Sequence, residues 1–390
     1  MAGHGSVTRR KVFFIPGFDP LGARRYRELY RKQGAAQAAV SGYDLHMEAV
    51  PGGGRYRWRA TMDGASTAEI EFLEWADLVR DAMAVPIPVS YQQLARTLWL
   101  YLRSGALRAL IRLRYVPMLI ALYPAVALMA YLVICGLAAW AVVAVAGALG
   151  LPGPLALAIG AAAFAGLMIL LRRRDNRLYA YYLMADYAFA AREGGRMPDP
   201  LVHRVAEFTA RVDEALGEDW DEVLIVGHSS GAQLGVHVAA RAQRPANGPA
   251  FSLLTLGQVI PMVSFLPTAD DLRTDLARAA ARTDLYWLDV SAPSDGACFA
   301  LADPVDVTGV APDAKVNPTV ISAKFSRTLS DRQQKELHRR YFTKHVQYLR
   351  AFERVEDYDY FAITAGPMSL RERFGHRTSS ASAIHDRYAP

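Results

Sequence analysis

The residues with the clearest capacity for chemistry lie at positions 227–231, which read Gly-His-Ser-Ser-Gly. They follow a short apolar run and precede a segment, 231–243, whose pattern predicts a helix. A serine on a sharp turn between a strand and a helix stands at the helix N-terminus, where developing negative charge is favoured. Gly227 and Gly231 leave room where a Cβ would clash with neighbouring backbone. The pattern therefore predicts a nucleophile at Ser229, and the alternative is a glycine-rich turn with a structural serine.

The elements around this turn alternate along the chain. Short apolar or alternating runs predict strands at 11–15, 69–75, 222–226, 251–256 and 285–290. Helical patterns occupy 21–39, 175–217, 231–243, 269–282 and 330–353, with two helices in the second range. Strands that alternate with helices indicate a mostly parallel sheet with helices on both faces. We therefore predict an α/β fold in which the strand ends position the site.

The composition restricts the class of protein. Of the 390 residues, 52% are hydrophobic and 21% are charged, which excludes an intrinsically disordered chain. Cys135 and Cys298 are too few for a disulfide scaffold and form no Cys/His cluster, so we expect no metal site. The net charge of +6 suits an anionic membrane surface or nucleic acid. Because no recognised nucleic-acid-binding motif accompanies the basic residues, we expect no nucleic-acid partner.

The apolar excess is concentrated in residues 115–171, which contain no Asp, Glu, Lys or Arg. A membrane-spanning helix needs about 20 apolar residues, and a helix of a soluble protein rarely exceeds about 20 residues. The sequence Gly-Leu-Pro-Gly-Pro at 150–154 divides the segment. We predict a transmembrane helical hairpin with one span within 118–148 and a second at 154–171. A single long span and a buried hairpin of a soluble protein are the alternatives.

The charges that flank this segment predict its orientation. Arginines precede and follow it, whereas the turn between the two spans is uncharged. These arginines are Arg96, Arg103, Arg108, Arg112, Arg114, Arg172, Arg173, Arg174 and Arg177. By the positive-inside rule both ends face the cytoplasm, and the lack of an apolar region in residues 1–5 argues against a secretory signal. Residues 91–114 predict either a basic amphipathic helix at anionic head groups or a helix that covers the body with a solvated basic face.

These features together resemble the α/β-hydrolase superfamily, in particular the lipase- and esterase-like serine hydrolases of bacteria. The resemblance rests on Gly227–Gly231, on the early strand that ends in Pro-Gly-Phe at 16–18, and on an acid and a histidine that follow the serine in that order. It covers most of residues 11–350 apart from the hairpin. It implies an α/β-hydrolase-like, mostly parallel sheet flanked by helices, with the transmembrane hairpin inserted into it.

The resemblance also implies an oxyanion hole made of backbone N–H groups. One donor is the residue after the nucleophile, here Ser230. The other belongs to the loop after an early strand, where the N–H of Phe18 follows Pro16-Gly17 in place of the His-Gly of many members. The alternative for this loop is a simple Pro-Gly turn.

The acid of the triad that the resemblance implies is expected after the nucleophile. We choose Asp295, because a carboxylate in a tight Pro/Gly loop after a strand is well placed to orient an imidazole. Asp289 lies inside the strand, and Asp303 and Asp306 are later alternatives. A turn-forming Asp-Gly is the structural alternative for Asp295.

The base is expected after the acid, and four histidines follow Asp295. We choose His345, whose aromatic neighbours could bury the ring beside a pocket. His338 lies in a strongly charged stretch, and His376 and His385 lie in the polar tail. The stretch around His345 has a helical pattern, whereas the superfamily histidine usually follows the last strand in a loop. His228 is expected to line the pocket.

The sequence thus predicts a membrane-tethered serine hydrolase of carboxylic esters, with lipid esters suggested by its location, and with no cofactor. The hydrolase domain comprises residues 1–114 and 172–375 on the cytoplasmic side, and 376–390 form a loose polar tail. The alternative is a catalytically silent membrane scaffold or sensor that uses the same fold. The pattern does not predict an oligomeric state.

Overall fold

A computed structural model describes residues 6–50, 52, 56–338 and 340–390. Residues 1–5, where no secretory signal is expected, lie outside the described residues. The described chain forms one mixed sheet of eight strands, with the order β2-β3-β4-β1-β5-β6-β7-β8. The strands are β1 Arg9–Ile15, β2 Leu45–Ala49, β3 Arg57–Met62, β4 Ser66–Phe72, β5 Glu222–His228, β6 Ala250–Leu256, β7 Leu285–Ser291 and β8 Thr319–Ser322.

Six strands, from β4 through β8 in the sheet order, are parallel, and β2 and β3 form an antiparallel meander at one edge. The parallel strands need crossover connections, which the helices supply. The fold is therefore α/β, as the alternating pattern predicted. The meander escaped prediction because β2 is a short, largely exposed edge strand whose sequence, Leu45–Ala49, carries little apolar signal.

Helices cover both faces of the sheet and also form the hairpin. They are α1 Ala23–Ser41, α2 Ala76–Met83, α3 Ile87–Arg103, α4 Ala106–Leu113, α5 Tyr115–Ala148, α6 Gly153–Arg173, α7 Asp175–Leu178, α8 Ala180–Ala190, α9 Asp199–Leu216, α10 Ser230–Arg241, α11 Pro261–Ser264, α12 Asp270–Ala281, α13 Pro304–Thr308, α14 Phe325–Thr328, α15 Asp331–Leu337, α16 Tyr341–His345, α17 Tyr360–Ala365 and α18 Leu370–Phe374. Short 3₁₀ helices occupy Arg192–Gly195 and Gln347–Leu349.

Alternate residues of the central strands divide the body into two apolar cores. In β1, Phe13 belongs to one core and Phe14 to the other, and in β5 Ile225 and Val226 divide in the same way. Successive side chains of a strand point to opposite faces, so each core lies on one face of the sheet. Because both faces are covered, β5 is buried over its whole length, which explains its continuous apolar run.

The apolar segment forms a helical hairpin, since α5 and α6 pack against each other. Both helices are long and apolar enough to cross a membrane. In the most apolar 18-residue window of each helix, only 17% is buried, which differs from the core helix of a soluble protein. Residues 91–114 form most of α3 and all of α4, and Gly105, with a φ of 74°, separates the two helices.

Two C-terminal segments differ from the simple sequence pattern. The helical stretch at 330–353 is divided into α15, α16 and a 3₁₀ helix. The segment predicted as a loose polar tail makes backbone hydrogen bonds to the body, from Ser380 N–H to the Val320 carbonyl at 2.8 Å and from Ile384 N–H to the Leu301 carbonyl at 2.7 Å. Residues 380–384 therefore lie anchored along the edge of the body.

Candidate active site

Ser229 lies at the sharp turn between β5 and α10, at the carboxyl edge of the sheet. Its φ of 57° and ψ of −124° are unusual for a residue with a side chain, and such strain often marks a functional position. A Cβ at Gly227 would lie 2.6 Å from the Cα of Ala232, and one at Gly231 would overlap the carbonyl oxygens of Ile15 and Pro16. Both glycines are therefore required by the close approach of strand, helix and loop, and the serine remains half-buried rather than enclosed.

The loop after β1 lies directly against this turn. A Cβ at Gly17 would lie 2.9 Å from the Cβ of Ser229 and 3.4 Å from its Oγ. Trp75 Nε1 donates to the Pro16 carbonyl at 2.9 Å, and the Tyr182 hydroxyl donates to the Phe18 carbonyl. These two side chains hold the loop from opposite ends.

The expected oxyanion donors, Phe18 and Ser230, lie on the two sides of this contact. Ser230 is the first residue of α10, where a helix leaves N–H groups unsatisfied. Within the described residues, neither backbone N–H donates a hydrogen bond. Two free donors close to a serine hydroxyl are the arrangement that a developing oxyanion requires.

Asp295 and His345 form a hydrogen-bonded pair, with 2.8 Å between Asp295 Oδ2 and His345 Nδ1. Asp295 belongs to the loop after β7, and His345 ends α16. Burial alone would raise the pKa of Asp295, but the His345 ring and hydrogen bonds from His345, the Ala297 N–H and Tyr348 outweigh it and hold that pKa below its usual value. The carboxylate therefore stays ionised and can orient the imidazole.

Tyr348 is a part of this site that the sequence did not single out. Its hydroxyl donates to Asp295 Oδ2 at 3.0 Å and accepts from the Ala292 N–H at 2.9 Å, so it ties the acid to the end of β7. The available signal was its spacing of three residues from His345, which places both on one short helical turn. That signal is weak, because a tyrosine in a helical stretch is usually part of a core.

Ser229 and His345 line one cavity, with a volume of about 720 Å³. In this conformation, no hydrogen bond of the described residues joins Ser229 Oγ to the imidazole. In proteins without bound substrate such contacts are often long and shorten only in the substrate complex. The structure thus joins the predicted acid and base directly and brings the predicted nucleophile to the same cavity.

The remaining histidines have other surroundings. His228 Nε2 lies 2.9 Å from the His345 carbonyl, and burial together with the charge of His345 lowers the pKa of His228 to about 3, so the ring is neutral and donates this bond. It supports the backbone of the residue predicted as the base. His338 and His376 are exposed.

The alternative acids are also engaged elsewhere. Asp289 is fully buried inside β7 and accepts from Thr255 Oγ1 at 2.6 Å, and burial raises the pKa of Asp289 to about 8. Asp303 and Asp306 lie beside His385, and such a group of oxygen and nitrogen atoms could hold a cation. Lys315 Nζ lies 2.6 Å from both carboxylates, so one ammonium group already compensates part of their charge.

The cavity is largely apolar and reaches the base of the hairpin. Its lining includes Pro117, Ile120 and Ala121 of α5, and aromatic residues of α8. A Cβ at Gly296, next to Asp295, would lie 2.7 Å from Ile120 Cδ1, so α5 packs against the loop that carries the acid. The first turns of the long apolar helix therefore form part of the wall of this site.

Comparisons of the chain with protein-family models, with curated proteins and with solved structures found no match. The function therefore has to be inferred from the residues and geometry of the site.

Proposed function

We propose that the protein is a membrane-tethered serine hydrolase of the α/β-hydrolase type that cleaves carboxylic esters. The observation that carries the proposal is the Asp295–His345 pair, with its 2.8 Å hydrogen bond, in the wall of the same cavity as Ser229 on its strained turn. A serine hydroxyl needs a base to become an effective nucleophile, and an ionised carboxylate that orients the base completes such a relay.

In the proposed mechanism His345 Nε2 accepts the proton of Ser229 Oγ as the oxygen attacks the ester carbonyl carbon. Asp295 holds the Nδ1–H of the ring and stabilises the imidazolium that forms. The carbonyl oxygen becomes negative and accepts hydrogen bonds from the N–H groups of Phe18 and Ser230. His345 then protonates the leaving alcohol, and water resolves the acyl-enzyme by the same steps in reverse. These residues supply every proton transfer, so the mechanism requires no cofactor.

The cavity supports a hydrophobic substrate, and the hairpin supports a lipid ester. An apolar cavity of about 720 Å³ is large enough for a drug-sized ligand. Its wall contains the first turns of α5, a helix long and apolar enough to cross a membrane. An ester that partitions into the bilayer would therefore be concentrated where the cavity lies. Arginines at both ends of the hairpin favour a cytoplasmic position for the body.

The proposal is tested by labelling membranes that contain the full chain with a fluorophosphonate probe, which reacts with activated serines. We expect a label that remains in the membrane pellet after alkaline carbonate extraction and is lost in Ser229→Ala. The matched control is Ser294→Ala, which removes a serine from the acid loop that is not part of the proposed relay.

Two results would contradict the proposal. If Ser229→Ala and the unmodified protein were labelled equally, or if neither were labelled, the serine would not be activated, and a catalytically silent scaffold or sensor would explain the fold better. If the labelled protein were released by carbonate, the hydrolase assignment would stand and the membrane tether would fail.

A further inference from the structure

Four arginines line the cavity, and three of them have partners that account for their positions. Arg172 donates to the Met83 and Val85 carbonyls at 2.8 and 3.0 Å, and Arg196 pairs with Glu193 at 2.9 Å. Arg25 lies 3.8 Å from Asp19, a longer contact. Arg350 is the exception, because within the described residues its side chain makes no hydrogen bond or ion pair.

The Arg350 side chain is also partly removed from water. Its Nε is buried without a hydrogen-bond partner. Burial lowers the pKa of Arg350, and the nearby charge of Arg25 lowers it further. Two guanidinium groups that repel each other, one of them with a buried and unsatisfied donor, cost free energy unless an anion joins them.

Among the described residues, no acidic side chain of the cavity pairs with Arg350 or joins the two arginines. Asp19 accepts hydrogen bonds from the Tyr26 hydroxyl and the Leu21 N–H as well as facing Arg25. Asp175 accepts from two backbone N–H groups at the start of α8. Burial raises the pKa of Asp186 to about 7, so this carboxyl loses much of its charge at neutral pH. The uncompensated charge in the cavity wall is therefore positive.

Both arginines line the same cavity as Ser229 and His345 and belong to segments close in sequence to residues of the proposed site. Arg350 follows His345 by five residues, at the end of the 3₁₀ helix that contains Tyr348. Arg25 lies in α1, which begins shortly after the loop that carries Phe18. A group bound by both would lie in the same cavity as an ester held between the base and the oxyanion donors, while the apolar wall would remain free for hydrocarbon.

We propose that Arg350 and Arg25 form an anion-binding subsite, and that the substrate is an amphiphilic ester whose phosphate or carboxylate group binds there while its hydrocarbon occupies the cavity. Guanidinium groups match the geometry of such oxyanions and can donate two hydrogen bonds to one group. The identity of the ester as substrate rests on the proposed hydrolase function, whereas binding of the anion does not.

Binding is measured by calorimetry on the full chain in a nonionic detergent, with hexadecyl phosphate as the probe because it contains no carboxylic ester to cleave. Its neutral comparison is the hexadecyl ether of glycerol, and its soluble comparison is inorganic phosphate. We expect hexadecyl phosphate to bind most tightly, and Arg350→Gln to weaken its binding about tenfold or more, as loss of a charged hydrogen bond does. Arg196→Gln is the matched control and should leave the affinity within about twofold.

Arg25→Gln is a second variant, since the Arg25 side chain is 58% exposed and its replacement should leave the fold intact. It should also lower the affinity for hexadecyl phosphate, but by a smaller factor than Arg350→Gln does. Equal affinity of the unmodified protein and both variants would overturn the subsite. If inorganic phosphate bound as tightly as hexadecyl phosphate, the subsite would bind a soluble anion, and the proposal of an amphiphilic substrate would be wrong. Because no result depends on turnover, a protein that lacks the Ser229 label could still confirm or contradict the subsite.

Discussion

The α/β body and the hairpin differ in whether they contain charged side chains and in how those charges are compensated. The body buries charged side chains and compensates them, as where Arg10 Nε lies 2.6 Å from Glu222 Oε2 with both side chains fully buried. The hairpin segment, 115–171, contains no charged residue and leaves most of its apolar surface uncovered. Burying a charge is costly unless it is paired and hydrogen-bonded. The body therefore depends on specific partners, whereas the hairpin depends on an apolar surrounding.

Most glycines of the hairpin also differ in packing from the glycines of the proposed site. In the body, a Cβ at Gly17, Gly227 or Gly231 would meet backbone or side-chain atoms of the proposed site. In the hairpin, a Cβ at Gly166 would have nothing within 4 Å, whereas one at Gly160, where α6 packs against α5, would overlap Val143 Cγ2. Close packing in the body leaves atoms of the proposed site little room to move. Exposed positions of the hairpin such as Gly166 are loosely packed and do not restrict the positions of those atoms. Substitutions in the body should therefore change chemistry more than equal substitutions in the hairpin.

The largest effect should come from Asp295→Asn, which keeps the shape of the acid but removes its charge. The neutral amide cannot stabilise the imidazolium, and its NH₂ group can donate to Nδ1 and favour the wrong ring tautomer, so kcat for an ester should fall by about 10³- to 10⁴-fold. The measurement is single-turnover hydrolysis of a chromogenic ester by the full chain in detergent.

Asp289→Asn is the matched control for this substitution. It changes a second buried aspartate of the same strand-and-loop unit, but one that bonds to Thr255 and not to His345. Its kcat should stay within about threefold of the unmodified protein. A similar loss in both variants would mean that the effect is structural, and it would remove Asp295 from the proposed relay.

A smaller loss should follow from Gly17→Ala. The new methyl group would lie 2.9 Å from Ser229 Cβ, so either the nucleophile or the loop that carries Phe18 must move by tenths of an ångström. Because a misplacement of about 1 Å can lower the rate about 100-fold, this smaller shift should lower kcat/KM about tenfold. Gly166→Ala adds the same methyl group in the hairpin, and its kcat/KM should remain within about twofold. Equal rates for Gly17→Ala and the unmodified protein would show that the loop does not approach the reacting serine.

Parts of this structure could be predicted from local sequence because they obey local rules. The strand β5 and the turn at Ser229 have a continuous apolar run and two glycines that only close backbone packing explains. The hairpin was predictable because a long uncharged segment has few other solutions. The pairing of Asp295 with His345 remains a prediction about function, although the two side chains are hydrogen-bonded.

Other parts depend on contacts between distant residues, which the sequence does not display. Tyr348 reaches Asp295 across 53 positions of the chain. Asp186 and Arg350 carry no motif, and their importance follows only from the cavity that they line together. The meander at β2 and β3 is an edge structure that pairing with β4 stabilises, so its short strands need little apolar sequence of their own.

The last expected effect concerns the stability of the body rather than the reaction rate, and it depends on pH through Asp289. An unfolded aspartate has a pKa of about 3.9, whereas burial raises the pKa of Asp289 to about 8 in the folded protein. Between these values the folded state holds a proton that the unfolded state has released, so this group lowers the free energy of unfolding as pH rises from about 4 to about 8.

In Asp289→Asn this dependence is absent, and the difference in unfolding free energy between the two proteins should grow in favour of the variant by on the order of a few kcal/mol across that range. The measurement is the thermal unfolding midpoint of both proteins at pH 5 and pH 8.5 in the same detergent. The pKa of His228 is lowered to about 3, so this histidine reduces the free energy of unfolding as pH falls below about 6.5. It is present in both proteins, so its contribution cancels in the comparison. If the difference in midpoint between the two proteins were the same at both pH values, Asp289 would not be held protonated in the folded protein. Burial in the body would then not control the charge of this carboxyl group.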